Sequence, residues 1–207
     1  MSNYQWKTKP YEHQETALKN SCFSEYYALY MEMGTGKSKV VVDTMALLFE
    51  AGHIDTVLIL APKGVYDNWI RSEIPRHLPD RIPHNLVRWQ NNLTKKFVAD
   101  MQGIIYPEKR KADTLHILVM NIEAVSTKKG ASTVLKYLKS NPKNLLVVDE
   151  STTIKNHKAI RTKNIIKAAQ FAKYRRILTG SPITKSPMDL YSQCAFLSPK
   201  ALGFKSF

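Results

Sequence analysis

Short runs rich in β-branched and aromatic residues alternate along the chain with longer stretches whose apolar residues recur every three or four positions. Runs of the first kind suit strands, and stretches of the second kind suit helices with one buried face. The pattern predicts strands near Tyr26–Tyr30, Thr56–Leu60, Asn85–Trp89, His116–Val119, Leu145–Val148 and Arg176–Leu178. Between them it predicts helices over Ser38–Glu50, Val65–Ile74, Leu93–Gln102, Ser132–Ser140, Ile160–Phe171 and Pro187–Phe196. Such alternation specifies an α/β fold with a mainly parallel sheet flanked by helices on both faces. No repeat or low-complexity linker interrupts it, so residues 1–207 read as one domain, with Pro75 to Pro83 as an irregular connection inside it. In sheets of this kind ligands sit beyond the carboxyl ends of the strands, which gives weight to residues directly after each strand.

One such segment is Met31-Glu-Met-Gly-Thr-Gly-Lys-Ser38, between an expected strand and an expected helix. Gly34 and Gly36 can adopt backbone conformations that aim successive amides at phosphate oxygens, and the following helix adds its positive end. Lys37 is the residue to neutralise β and γ phosphates, and the Ser38 hydroxyl can coordinate magnesium. Met33, Gly34, Thr35, Gly36, Lys37 and Ser38 are therefore the candidate phosphate-binding residues. Met31 stands where the full eight-residue pattern has its first glycine, so only the core Gly-x-Gly-Lys-Ser is present. From average residue usage that core arises by chance in a chain of this length on the order of once in a hundred. A glycine-rich turn with a surface lysine is the competing reading.

The run Leu145-Leu-Val-Val-Asp-Glu150 ends another expected strand with two carboxylates. Asp149 suits magnesium binding, and Glu150 suits orienting and deprotonating the water that attacks a γ phosphate. Alone, an Asp-Glu pair after a strand is more often the acidic start of a helix. Beside a lysine loop it reads as the other half of a phosphoanhydride-hydrolysing site.

MEMGTGKS, VVDESTTIKN and ILTGSPITKSPMDLY resemble, in order and spacing, motifs I, II and III of superfamily 2 helicases, especially the Swi/Snf-type group. Pro10-Tyr-Glu-His-Gln14 is similar to the family's adenine-reading segment, Ile59–Lys63 to its motif Ia and Val119–Glu123 to its motif Ib. The resemblance implies a RecA-like P-loop domain that binds ATP and magnesium, with Lys37, Asp149 and Glu150 catalytic and Ser38 and Asp149 on the metal. It further implies that Gln14 hydrogen-bonds adenine, that Lys63, Asn121 and Lys185 meet nucleic acid, and that Thr179, Gly180 and Ser181 couple the two sites. The family has alanine followed by histidine or aspartate after its Asp-Glu pair, whereas this chain has Ser151 and Thr152. That departure puts in question the contact that normally helps couple hydrolysis to movement.

Composition adds a partner. Lysine and arginine number 31 against 17 acidic residues, a formal charge of +14, and the excess is scattered as on a folded surface that meets a polyanion. DNA, duplex by preference and gripped through its backbone, is the expected partner, with RNA unwinding or a degenerate module without turnover as alternatives. Lys128 and Lys129 read as a solvated face, Trp69 and Trp89 as core, and His13 and His157 as structural or exposed. Cys22 and Cys194 have neither disulfide nor metal spacing, and the longest apolar runs are too short to span a bilayer. A cytoplasmic setting, or a nuclear one in a eukaryote, and no membrane follow. The chain stops at Phe207, soon after the third motif, so a second RecA-like lobe carrying arginines is expected in the full-length protein.

Overall fold

The computed structural model describes residues 4–92, 94–183, 186–198 and 200. Six strands form one sheet: β1 (Tyr26–Tyr30), β2 (Thr56–Ala61), β3 (His84–Arg88), β4 (Leu115–Asn121), β5 (Asn144–Asp149) and β6 (Tyr174–Thr179). They lie in the order β1-β6-β5-β2-β4-β3, and every pairing is parallel. All six expected strands are present, and β2, β5 and β6 are buried along their whole length. Successive residues of β2 serve opposite faces. Leu58 and Leu60 join one core cluster with Phe97, Val134, Ile165 and Phe196, while Val57, Ile59 and Ala61 join another with Leu18, Val41, Met45 and Trp69.

The first of these layers carries α5 (Lys95–Ile105), α6 (Lys128–Ser140), α7 (Ile160–Ala169) and α8 (Asp189–Leu197). Thr94 and Thr127 start α5 and α6 by accepting the backbone N–H of Phe97 and Gly130, a capping contact worth about 1 kcal/mol. The Thr127 cap starts α6 four residues before the expected Ser132. The second layer carries α1 (Glu12–Ser21), α2 (Lys37–Glu50) and a composite helix. That helix runs from α3 (Tyr66–Asn68) through a π-helical stretch, Trp69–Glu73, into α4 (Ile74–His77).

Two expectations need correction here. Pro75 belongs to α4 and not to an irregular connection. Proline lacks an N–H and its ring crowds the carbonyl four residues back; directly before it the Ile74 N–H reaches the Trp69 carbonyl, the wider spacing that lets the helix pass. The helix α1 has no counterpart in the expected pattern, because two of its three buried positions, Gln14, Leu18 and Ser21, are polar.

Arg176, fully buried in β6, ties α1 to the sheet. Its guanidinium donates to the carbonyls of Ser21, Cys22 and Ser24 at 2.7, 3.2 and 2.8 Å and to those of Glu25 and Arg175 at 3.2 and 2.8 Å. Burial pulls its pKa down to about 10, yet the charge sits against the carbonyl end of α1, where a cation is favoured. Among the described residues no helix is long and apolar enough to cross a membrane. Replacing Arg176 with Met is expected to lower unfolding free energy by at least about 3 kcal/mol, since each buried carbonyl left without a donor costs about 1–3 kcal/mol. Urea denaturation checks it.

Candidate nucleotide site and nucleic-acid groove

The parallel register sets Tyr30 beside Thr179 and Leu178 beside Asp149, so the segments leaving β1, β6 and β5 start side by side. After β1 the chain turns through Gly34 and Gly36, with φ of +77° and +81°, values that only glycine adopts without strain. Lys37 opens α2 and bends back under the loop, its Nζ donating to the Met31 and Glu32 carbonyls at 2.9 Å each. Met33 is largely exposed, Ser38 half-buried, and the Thr35 hydroxyl donates to the Glu32 carbonyl at 2.7 Å. A Cβ on Gly180 would lie 3.3 Å from the Met33 nitrogen, so the turn after β6 runs against the loop. There the Ser181 N–H donates to the Thr179 hydroxyl at 3.1 Å.

Gln14 is neither solvent-facing nor free. It is 6% exposed, its Oε1 accepts the Tyr11 N–H at 3.1 Å and its Nε2 donates to the Thr35 carbonyl at 2.9 Å. His13, on the exposed side, meets the same carbonyl at 2.9 Å and stacks on Tyr11. The amide of Gln14 is thus bound to the loop itself.

Asp149 ends β5 buried, with Oδ2 accepting the Trp69 indole N–H at 2.8 Å and Oδ1 accepting the Glu150 N–H at 2.9 Å. Burial raises its carboxyl above the usual range, against the indole, the amide and the Lys37 charge, which favour the ionised form. Glu150 is raised as well, first by burial and then by the Asp149 charge, with Lys37 opposing. Glu150 has φ of +49°, a left-handed conformation that costs a non-glycine residue about 1–2 kcal/mol. Next, the buried Ser151 hydroxyl donates to Gln193 Oε1 at 2.6 Å, and Gln193 Nε2 donates to the Pro182 carbonyl at 2.8 Å. The residue that departs from the family pattern therefore links the Asp-Glu turn to the segment after β6. Ser38 and Asp149 offer the hard oxygens magnesium takes, and one carboxylate completed by phosphates and water is its usual demand. Among the described residues no group of three or more His, Cys, Asp or Glu gathers into an all-protein metal cage.

A separate groove of about 470 Å³ opens at the carboxyl ends of β2, β3 and β4. It brings together Lys63 and Asn121 with Arg88, Gln90, Asn91 and Asn92. Arg88 is exposed but held by Asp67 at 2.7 Å and lies over the Tyr66 ring, and Lys63 is the second exposed cation of this group. Lys185 lies outside the described residues.

The SNF2-related domain matches residues 26–207. The chain belongs to that family. The ATP-dependent helicase fft2 of Schizosaccharomyces pombe is 30% identical over 81% of this chain and 12% of its own length. The chromatin-remodeling ATPase INO80 of Saccharomyces cerevisiae is 27% identical over 81% and 11% respectively. The chain thus spans about a tenth of the length of these curated relatives. The Sulfolobus solfataricus SWI2/SNF2 ATPase core in complex with dsDNA has a TM-score of 0.69 at 23% identity, covering 99% of this chain and 39% of that one. The UvsW helicase of bacteriophage T4 has a TM-score of 0.63 at 12% identity, covering 92% and 58%. These two likenesses establish the fold, a RecA-like lobe with a single parallel sheet.

In this SNF2-related domain Lys37, Asp149 and Glu150 come together electrically, since the Lys37 charge acts on both carboxylates. Lys63 and Asn121 come together in the groove. Trp69 and Gln193 were not singled out for the site from the sequence: a buried tryptophan and a helical glutamine look like packing until a distant partner is known. Gly36 is expected to be far less replaceable than Gly34. A Cβ at position 36 would lie 2.3 Å from Gln14 Nε2, whereas at position 34 nothing stands within 4 Å. Nucleotide-binding titrations should show Gly36→Ala losing much more affinity than Gly34→Ala, although both strain the backbone.

Proposed function

We propose that residues 1–207 form the ATP-binding lobe of a DNA-dependent ATPase that couples hydrolysis to movement on duplex DNA. The carrying observation is the left-handed Gly34–Gly36 turn, which delivers Lys37 to a site where its charge acts on both Asp149 and Glu150. Fft2 and INO80 are named as an ATP-dependent helicase and a chromatin-remodeling ATPase, and the Sulfolobus core is described with double-stranded DNA. All three agree with this reading.

In the proposed mechanism the amides of Met33 to Gly36 and the start of α2 cradle the phosphates. Lys37 exchanges its bonds to the Met31 and Glu32 carbonyls for β- and γ-phosphate oxygens. Ser38 and Asp149 would hold magnesium, which would supply neutralising charge at those phosphates. Glu150, whose raised pKa suits a general base, takes a proton from the attacking water. Gln14 hydrogen-bonds adenine and steadies the loop through Thr35. Ser151, Gln193 and the Thr179–Ser181 turn carry the state of the site toward the nucleic-acid face. Lys63 and Asn121, together with Lys185, grip the backbone without reading bases. A second lobe supplies the arginines that complete phosphoryl transfer.

Lys37→Ala is expected to abolish nucleotide binding, and Glu150→Gln to preserve it while hydrolysis falls by about a hundredfold or more. Full activity in both variants would remove the assignment. Residues 1–207 alone should bind ATP yet turn over weakly, because a missing arginine finger costs about three to five powers of ten in rate. Robust DNA-stimulated turnover by those residues contradicts the two-lobe reading. Comparing duplex DNA, single-stranded DNA and RNA as stimulators in the longer protein decides the substrate. Lys63→Ala should reduce the salt slope of DNA binding by about one.

A further inference from the structure

Two tryptophans are deeply buried in this chain, and they differ in one respect. The indole nitrogen of Trp89 has no hydrogen-bond partner, although that residue is only 5% exposed. The indole nitrogen of Trp69, which is fully buried, donates to Asp149 Oδ2 at 2.8 Å. The fold therefore tolerates a buried tryptophan whose ring alone is used, and at position 69 it uses the N–H as well. Indole is a donor only, so it can hold a carboxylate oxygen but cannot accept a proton from it.

The backbone is shaped to keep that contact. Trp69 is the first residue of the π-helical stretch, and its own carbonyl receives the Ile74 N–H that bridges to α4. π-turns of this kind recur at functional sites. The fully buried ring belongs to the core cluster that also holds Ile59 of β2 and Val147 of β5, on the side of the sheet where its N–H meets the carboxylate. Its partner's other oxygen, Oδ1, is held by the Glu150 N–H. The two donors together fix the plane of the carboxylate, leaving each oxygen one further lone-pair direction.

We propose that Trp69 is a positioning residue for the magnesium-binding carboxylate, its indole N–H setting the orientation of Asp149 and with it the affinity of the nucleotide site for Mg2+. This rests on the reading of Asp149 given above. Outer partners of a metal ligand typically govern about ten- to a hundredfold in metal affinity.

The test replaces Trp69 with Phe, which keeps a large ring, and separately places 3-benzothienylalanine at position 69, which keeps the indole shape and lacks the N–H. Binding of a fluorescent ATP analogue is titrated with Mg2+, alongside binding in EDTA and a thermal melt. Both variants are expected to raise half-saturating Mg2+ about tenfold or more, with binding in EDTA unchanged. An unchanged half-point in the benzothienyl protein overturns the proposal, even if the Phe protein shifts, because shape and not the N–H would then be responsible. Nucleotide binding that survives Lys37→Ala overturns the site assignment itself, a different failure.

Discussion

Parallel pairing is the constraint on which everything else in this chain depends. With all six strands running in one direction, every carboxyl end opens on the same edge of the sheet, and the register decides which ends are neighbours. β1, β6 and β5 are consecutive in space although the chain visits them first, last and next to last. The lysine loop, the Thr179–Ser181 turn and the Asp149–Glu150 pair therefore share one edge. The groove with Lys63 and Asn121 opens at the same edge, across β2, β3 and β4. Burial of both faces of the central strands makes the register expensive to change, since a one-residue slip would send each side chain to the wrong layer.

A few buried polar contacts refine what the apolar layers hold in place. Arg176 collects the carbonyls at the end of α1 and so determines where Gln14 and the loop beneath it lie. Gln193 joins α8 to Ser151 and Pro182. Trp69 joins the composite helix to Asp149. Each costs desolvation of a polar group that only its partner restores, so each favours one arrangement over near alternatives.

What the amino-acid pattern made visible divides along the same line. Continuous β-branched runs such as Leu145–Val148 announce a strand buried on both faces, because hydrophobic burial is a property of the run itself. The lysine loop and the Asp-Glu pair are visible for a similar reason: their chemistry is carried by adjacent residues. What stayed hidden depends on residues far apart in sequence. Nothing near Gln14 signals that its amide will close on Thr35, and nothing near Trp69 signals a carboxylate on β5. Glu150 gives no sign of its left-handed backbone, since glutamate has no preference for it and the surrounding turn imposes it. Pro75 looks like a breaker by local rules, and only the preceding π turn makes it compatible with a helix.

The space above Gly36 is filled by the end of Gln14, with no gap for a methyl group. The two positions consequently behave as one heritable unit. A change at position 36 calls for a shorter side chain at position 14, and a shortened position 14 frees the turn from its hold on Thr35. Drift at position 36 is opposed by the left-handed backbone and by the Gln14 amide, and drift at position 14 gives up the hold on Thr35, so across descendants of this chain the pair should tend to be kept together.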